Sequence, residues 1–414
     1  MKLEHDSGRP VAVVHVMTVA MSLAFLRGQL AFMKRRGLEP HVVTAPGERL
    51  AVIAEEGAGI HAVPMTRAIT PFRDVMALAR LIRIFRRVRP DIVHAHTPKG
   101  GLLGMLGAYL AGVPVRVYHM RGLPMMGASG IRRWLLATAE RVSCALAHRV
   151  ICVSQSLAAV ATEAGLCHPA KLVVIGKGSG QGVDASGRFN PDRLPADVRG
   201  RTRDWLGIPR EATVVGFVGR LVREKGIVEL AEAWLTLRER WPSLHLLLVG
   251  PFEPHDPIPA DVVDRLKSDP RIHLAGENWD TPPLYSVMDI VAFPSYREGF
   301  PNVPLEAAAM GLPVVATRVT GCVDAVVDGE TGRLVPVRDA ARLAEAIQGY
   351  LQDGERRHRH GLEGRQRVLR DFRPEAIWAG IHEIYSELLA WRRPATDRES
   401  SGFTRAMTVP RPNG

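Results

Sequence analysis

The sequence predicts an α/β protein made of two doubly wound domains in series. Three observations lead there. The chain of 414 residues exceeds the size at which a single hydrophobic core stops growing. Short apolar runs alternate with longer segments of helical period, and the alternation occurs twice. Between the two series, residues 176–207 break into glycine, proline and charge, the composition of a linker.

In the first series Val11–Val16 reads as a strand, Leu23–Arg36 as a helix stopped by Gly37, and His41–Thr44 as a strand. Leu50–Glu56 is a short helix and Ile60–Val63 a strand. Asp74–Arg87 carries apolar residues on one face and arginines on the other, so it is a surface helix. Asp91–Ala95, Val115–Tyr118 and Arg149–Val153 are strands, separated by helices at Leu102–Ala111 and Ile131–Ala147. In the second series strands at Thr213–Val218, His245–Val249, Ile272–Ala275, Val291–Phe293 and Val314–Ala316 alternate with helices at Ile227–Arg240, Asp261–Lys267 and Val303–Met310. A helix at Ala341–Leu351, a run rich in Arg and His, and a long helix at Pro374–Trp391 follow. Such alternation specifies parallel sheets covered on both faces. Ligand sites then belong in a cleft at the carboxyl ends of the strands. The expected division is 1–195, 196–373, a terminal helix at 374–393 and a disordered tail at 394–414.

Bulk properties narrow the function. The chain is 46% hydrophobic and 23% charged, which excludes a disordered protein. The cysteines Cys144, Cys152, Cys167 and Cys322 form no C-x-x-C pair and read as reduced structural thiols of a cytosolic protein. Residues 1–199 hold 26 Lys and Arg against 13 Asp and Glu, whereas the remainder holds 28 against 30. A basic half beside a nearly neutral one implies an anionic partner on one side. The scattered arginines lack aromatic interleaving, so nucleic acid is not the expected partner. The apolar stretch Val11–Leu26 is shorter than the roughly 20 residues of a spanning helix. It also lacks an A-x-A cleavage site, so it reads as a buried strand entering a helix.

Two segments carry chemistry. In Tyr296–Thr317, Glu298 lies in the loop after a strand, Asn302 is placed to cap a helix, and Pro304 sits in its first turn. Glu306 lies within that helix, which Gly311 and Pro313 stop. The loop turns backbone N–H groups and a positive helix end toward the strand edge, an anion site suited to a diphosphate. Taken singly, Glu298 is a solvated loop charge and Glu306 a carboxylate complementing the helix dipole. Together with the loop, cap and stop they form a sugar-nucleotide holder. In the second segment, Gly219-Arg220 turns out of a strand and Lys225-Gly226 opens a helix, which sets two cations beside a crevice. Alone these would be surface charges of a flexible loop. The chain contains no D-x-D triplet, so cations and a helix dipole are expected in place of a metal, and no cofactor is expected.

These segments resemble the retaining, nucleotide-sugar-dependent glycosyltransferases of family 4, whose GT-B fold sets two Rossmann-like domains across a cleft. The resemblance covers nearly the whole chain. It implies that Arg220 and Lys225, after Gly219, grip the donor diphosphate, that Glu306 binds the nucleotide ribose and that Glu298 faces the donor sugar. The backbone of Gly299, Phe300, Pro301 and Asn302 would complete the pocket, and the terminal helix would cross back onto the first domain. The segments His94–Gly100, Tyr118–Pro124 and Lys177–Asp184 are similar to members that build cell-surface polysaccharides and lipid-linked oligosaccharides. The implied acceptor is a saccharide on a polyprenyl diphosphate at the inner membrane face, with Thr18, His96, Lys99 and Arg121 as acceptor contacts. Thr18–Ser22 stands where many members have a Gly-Gly turn. Arg121 stands where many have a histidine, with His119 two residues earlier; either could face the reacting centre, or His119 could be a satisfied buried histidine. The basic first half suits an anionic membrane surface. On Ile131–Ala147, Arg132, Arg133, Trp134 and Leu135 form either an interfacial patch or an ordinary amphipathic face.

The expected protein is therefore a cytoplasmic, peripheral membrane transferase that uses a UDP-linked sugar. A UDP-sugar epimerase of the same architecture would leave the basic half without a purpose. A dinucleotide oxidoreductase would need G-x-G-x-x-G after the first strand, where His15-Val-Met-Thr-Val-Ala stands.

Overall fold

The computed structural model describes residues 9–47, 50–254 and 256–392. They form two compact units, one reaching Gln181 and resuming at Pro374, the other spanning Gly182–Arg373. The tail expected to be disordered lies outside the described residues.

The first unit contains β1 (Val11–Val16), α1 (Gln29–Arg35), β2 (Leu38–Thr44), α2 (Leu50–Glu55), β3 (Gly59–Ala62), α3 (Pro71–Val88), β4 (Ile92–His96), α4 (Pro98–Leu110), β5 (Val115–Met120), α5 (Gly130–Leu146), β6 (Arg149–Cys152), α6 (Gln155–Glu163) and β7 (Leu172–Val173). Its parallel sheet has the order β3-β2-β1-β4-β5-β6-β7. The order reverses between β1 and β4, so the carboxyl ends of these strands flank a switch point. β1 and β4 are buried along their whole length, and apart from His15, His94 and His96 every residue in them is apolar.

The second unit contains α7 (Val198–Leu206), β8 (Thr213–Val218), α8 (Ile227–Arg240), β9 (Leu244–Val249), α9 (Ala260–Ser268), β10 (Ile272–Gly276), α10 (Pro282–Ser286), β11 (Ile290–Phe293), α11 (Asn302–Ala309), β12 (Val314–Thr317), α12 (Cys322–Ala325), β13 (Gly332–Val335), α13 (Ala340–Gln352) and α14 (Gly354–Asp371). The parallel order β10-β9-β8-β11-β12-β13 puts its switch point between β8 and β11. The helix α15 (Pro374–Arg392) belongs to the first unit, where Ile377, Ile381 and Tyr385 join Val13, Val117 and Leu30 in the core.

Several expectations need correction. The helix read at Leu23–Arg36 is broken into a 3₁₀ turn, Ala20–Leu26, and α1. Gly28 stands between them at φ 76, and a Cβ there would lie 2.8 Å from the Trp378 ring. Residues 182–195, expected in the first domain, belong to the second unit. The Val183 N–H donates to the Phe372 carbonyl at 2.9 Å, and Val183 and Phe189 lie in that unit's core. The Arg- and His-rich run is the helix α14, tied down where His360 pairs with the Tyr350 hydroxyl at 2.8 Å and Arg365 donates to Asn190 at 2.7 Å. Among the described residues, no helix is long and apolar enough to cross a membrane.

Tyr385 fixes α15 to the sheet, its hydroxyl 2.6 Å from His94 Nδ1, with both residues fully buried. Tyr385→Phe leaves that nitrogen without a partner. It should cost about 1–3 kcal/mol, seen as a lower urea midpoint with an unchanged slope.

Candidate functional site

In the second unit, adjacent strands β8 and β11 deliver the two predicted segments to one edge. β8 ends at Val218, just before Gly219, and a 3₁₀ turn at Arg223–Lys225 leads through Gly226 into α8. β11 ends at Phe293, and its loop runs to α11. The loops touch through backbone: the Tyr296 N–H donates to the Glu224 carbonyl at 2.9 Å. Gly226 has φ 72, and a Cβ on it would lie 2.1 Å from the Pro294 carbonyl oxygen. Only glycine permits this approach.

The approach brings Lys225 and Glu298 together as an ion pair whose side chains are 16% and 14% exposed. Glu298 Oε1 also accepts from the Ser295 hydroxyl at 2.7 Å. Arg220 donates to Glu253 at 2.9 Å and to Glu224 at 2.8 Å, and Arg297 donates to Glu224 at 2.7 Å. Burial alone would lower the pKa of Arg220, but Glu253 and Glu224 outweigh it and hold it raised. Burial would raise that of Glu224, but Arg297, Lys225 and Arg220 hold it lowered. The edge is thus a half-buried lattice of exchangeable ion pairs, a place where an incoming anion finds cations already positioned.

Glu306 sits one turn into α11. Its Oε2 accepts from the Tyr285 hydroxyl at 2.9 Å, and burial raises its pKa against that hydrogen bond and Arg188. Asn302 is not the cap expected of it. The capping position is Pro301, with no side-chain hydrogen bond, and Asn302 is the first helical residue. Gly299, Phe300 and Pro301 form the turn into α11, where Gly321 at φ 77 approaches so closely that a Cβ would lie 2.4 Å from the Gly299 carbonyl oxygen. Gly219, Arg220, Lys225, Glu298, Glu306 and the 299–302 backbone therefore all belong to this unit's carboxyl edge. The sequence reading missed Glu224, Glu253, Ser295 and Tyr285, which hold the side chains it named.

The first unit treats its candidates differently. Thr18 is 3% exposed, and its hydroxyl accepts the Gly100 N–H at 3.0 Å and meets the Thr97 hydroxyl at 2.8 Å. Lys99 bonds to Asp74 at 2.7 Å, to the Thr70 hydroxyl at 3.3 Å and to the Ala68 carbonyl. His96 and His119 are fully buried. In this conformation Thr18 ties β1 to α4 and Lys99 ties the 68–74 loop to α4. Both are thus held by the unit's own groups, and the two histidines lie within it. Arg121 is half-buried, with its guanidinium 4.4 Å over the Phe25 ring and one Nη buried without a partner. A Cβ on Gly180 would lie 2.2 Å from its other Nη, so the glycine-rich 177–182 segment makes room for the guanidinium. Burial lowers the pKa of Arg121 to about 9.

Beneath Arg121 lies a group that strand spacing could have revealed. His94 and His96, two apart on β4, share a sheet face with His15, opposite His94 on β1, and His119, opposite His96 on β5. Arg121 Nε donates to His96 Nδ1 at 3.3 Å, so the His96 proton sits on Nε2 and faces His15 Nδ1 at 3.0 Å. Nitrogens of His15, His94 and His96 lie within 4.8 Å of one another, the spacing of a metal site. The hydrogen-bond chain, however, uses the lone pairs of two of these rings. A metal would enter only if Arg121 withdrew. Burial, reinforced by Arg121 and the neighbouring rings, lowers all four pKa values, that of His15 to about 3.

A model of "Glycosyl transferases group 1" matches residues 212–353, and one of the "Glycosyl transferase 4-like domain" matches residues 24–178. The chain is 32% identical to the capsular polysaccharide biosynthesis glycosyltransferase CapM of Staphylococcus aureus, over 91% of this chain and 97% of the relative. It is 27% identical to the UDP-Gal:alpha-D-GlcNAc-diphosphoundecaprenol alpha-1,3-galactosyltransferase of Escherichia coli, over 70% of this chain and 73% of that one. The crystal structure of Anabaena HepE in complex with UDP-glucose superposes with a TM-score of 0.75 at 22% identity, covering 91% of this chain and 99% of HepE. The fold is GT-B, and the chain belongs to the glycosyltransferases of these two domain families.

Two outcomes follow from the geometry. Gly226→Ala should destabilise the protein by about 2 kcal/mol or more, measured by denaturant unfolding. Below about pH 6.5 the unfolded chain takes up protons that the buried histidines refuse, so stability falls with acid. His15→Gln should flatten that slope by up to about 1.4 kcal/mol per pH unit, read from unfolding free energies between about pH 7 and pH 5.

Proposed function

We propose that this glycosyltransferase moves a sugar, with retention at the anomeric carbon, from a UDP-sugar to a saccharide on a polyprenyl diphosphate at the inner membrane face, in cell-surface polysaccharide assembly. The observation that carries the donor half is the Lys225–Glu298 pair set beside Arg220 at the joined carboxyl ends of β8 and β11. The relatives agree in chemistry: HepE is seen with UDP-glucose, CapM is named for capsular polysaccharide, and the E. coli relative is named for UDP-Gal and a diphosphoundecaprenol acceptor.

On this reading the donor diphosphate exchanges places with carboxylates. Lys225 leaves Glu298 and Arg220 leaves Glu253 or Glu224, each for a phosphate oxygen, while the α11 amino end favours the same charge. Glu298, freed from Lys225, accepts hydrogen bonds from donor-sugar hydroxyls. Glu306 keeps Tyr285 on one oxygen and offers the other to the ribose. As the bond from the anomeric carbon to the diphosphate breaks, the two cations hold the charge that develops. The acceptor oxygen bonds on the face that the diphosphate leaves, and its proton passes to the departing phosphate. No side chain of this edge is placed as a covalent nucleophile. Arg121 is the first unit's candidate for the acceptor's phosphate, held from below by His96, with His119 beside His96 on β5. The donor site needs neither a resident metal nor a cofactor.

The test is a panel of nucleotide sugars incubated with a membrane lipid extract. Nucleotide release that depends on the extract, favours one UDP-sugar and persists in EDTA is expected. Interconversion of the free UDP-sugar without extract would instead identify an epimerase. Lys225→Ala should lower kcat by about 10²-fold or more, and Glu306→Gln should mainly raise the donor KM, by about tenfold. Near-normal kinetics in both variants would remove the donor assignment.

A further inference from the structure

The basic character of the first unit is concentrated on one helix. From Arg67 to Arg89 stand seven arginines against one acid, Asp74, whose carboxylate Lys99 holds at 2.7 Å. α3 buries Ala77, Leu81 and Phe85 against the unit, as an amphipathic helix should. The apolar residues of its entry loop and first turns do the opposite. Phe72 is 90% exposed, and Ile69, Val75 and Met76 are each more than half exposed. A phenylalanine ring left almost wholly in water forgoes what its burial would return. Clustered exposure of this kind marks a contact surface.

A second cluster lies at the start of α5, where Ile131 is 71% exposed, Trp134 58% and Leu135 44%, with Arg132 and Arg133 among them. Topology brings the clusters to one end of the unit. α3 leads into β4 and α5 follows β5, so in a parallel sheet both helices begin at the carboxyl edge. α3 packs on α4 and α4 on α5, so the three lie side by side on one face of the sheet. The amino ends of α3 and α5 therefore flank α4 with exposed aromatic and aliphatic side chains among Arg67, Arg73, Arg132 and Arg133. The acid nearest to them in the chain, Asp74, is already paired.

We propose that these two helix tips are a docking face for an anionic lipid bilayer, with Phe72 and Trp134 as the side chains that enter the headgroup boundary and the surrounding arginines drawn to lipid phosphate. The proposal rests on the lipid-linked acceptor reading and adds the surface by which the enzyme reaches that acceptor. Charge selects the occupant. A protein partner or a second copy would have to supply a matching acidic face, whereas an anionic leaflet supplies negative charge continuously. Indole and phenyl rings beside arginine also suit the interfacial zone of a bilayer.

The test sediments the full chain with vesicles of phosphatidylcholine alone and with vesicles containing about one third phosphatidylglycerol. Binding to the anionic vesicles that weakens at high salt is expected. Phe72→Glu and Trp134→Glu, both at exposed positions, should each weaken it by about tenfold or more. Arg86→Ala with Arg87→Ala, at the far end of α3, should weaken it less. The indole emission lost in Trp134→Phe should be the part that shifts blue on vesicles. Failure to bind, equal binding to both vesicle types, or unchanged binding by the Phe72 and Trp134 variants would overturn the proposal. So would concentration-dependent dimerisation that these variants abolish, since it would assign the face to a second copy. Transfer to a detergent-dispersed acceptor separates the two readings. An enzyme that transfers there but ignores vesicles refutes the docking face alone, and one that docks but transfers nothing refutes the transferase reading alone.

Discussion

The backbone contact between Gly226 and Pro294 is the constraint on which the second unit's carboxyl edge depends. β8 and β11 are neighbours in the sheet but 72 residues apart in the chain, counted from Val218 to Ile290. Sheet pairing alone brings their ends together without fixing the loops that leave them. The loops are fixed because a residue without a Cβ stands where the Pro294 carbonyl oxygen needs the space, and because the Tyr296 N–H finds the Glu224 carbonyl. Lys225 is the residue before Gly226, and Glu298 comes four after Pro294. The same contact therefore sets the separation of the ion pair. A side chain at residue 226 would push apart the charges that the site is built from.

A consequence is that the cations are not held in reserve as free charges. Arg220, Lys225 and Arg297 are each already bonded to a carboxylate. Half-buried charges left unpaired would cost the fold more than these pairs return. Pairing lets the site be stable without a ligand and still exchange partners when a doubly charged anion arrives. Glu306 follows a different logic. One of its oxygens holds a hydroxyl, among the described residues no cation is bonded to it, and burial raises its pKa. It is suited to neutral hydroxyl partners, while the lattice around Arg220 is suited to phosphate.

How much of this the sequence disclosed depends on the range of the interaction. The alternation of apolar runs located both sheets, because each buried parallel strand must be apolar on both faces. The loop, helix and stop from Tyr296 to Thr317 were legible for the same local reason. Gly28 was not, since its left-handed backbone is set by Trp378 from the far end of the chain. Residues 182–195 looked like linker because nothing local shows that Val183 bonds to Phe372. For Thr18, His96 and Lys99, expected as acceptor contacts, the sequence did not disclose how the fold holds them. Their hydrogen bonds to Gly100, Arg121 and Asp74 cross 25 to 82 residues and were invisible to motif spacing.

The two units also spend their polar groups in opposite ways. In the second unit the charges gather at the carboxyl edge, beside water, where they can trade partners. In the first, the interior behind that edge is filled by four imidazoles whose pKa values burial and Arg121 hold down, and the positive charge is displaced to α3 and α5. Among the described residues no carboxylate pairs with Arg121, and its guanidinium rests on a neutral, hydrogen-bonded layer. The imidazoles solvate it from below through His96, and Phe25 covers it through its ring face. That arrangement keeps the field at Arg121 positive in a way the paired cations of the other unit are not. The first unit's edge thus carries a guanidinium bonded to an imidazole, whereas the cations at the second unit's edge are bonded to carboxylates.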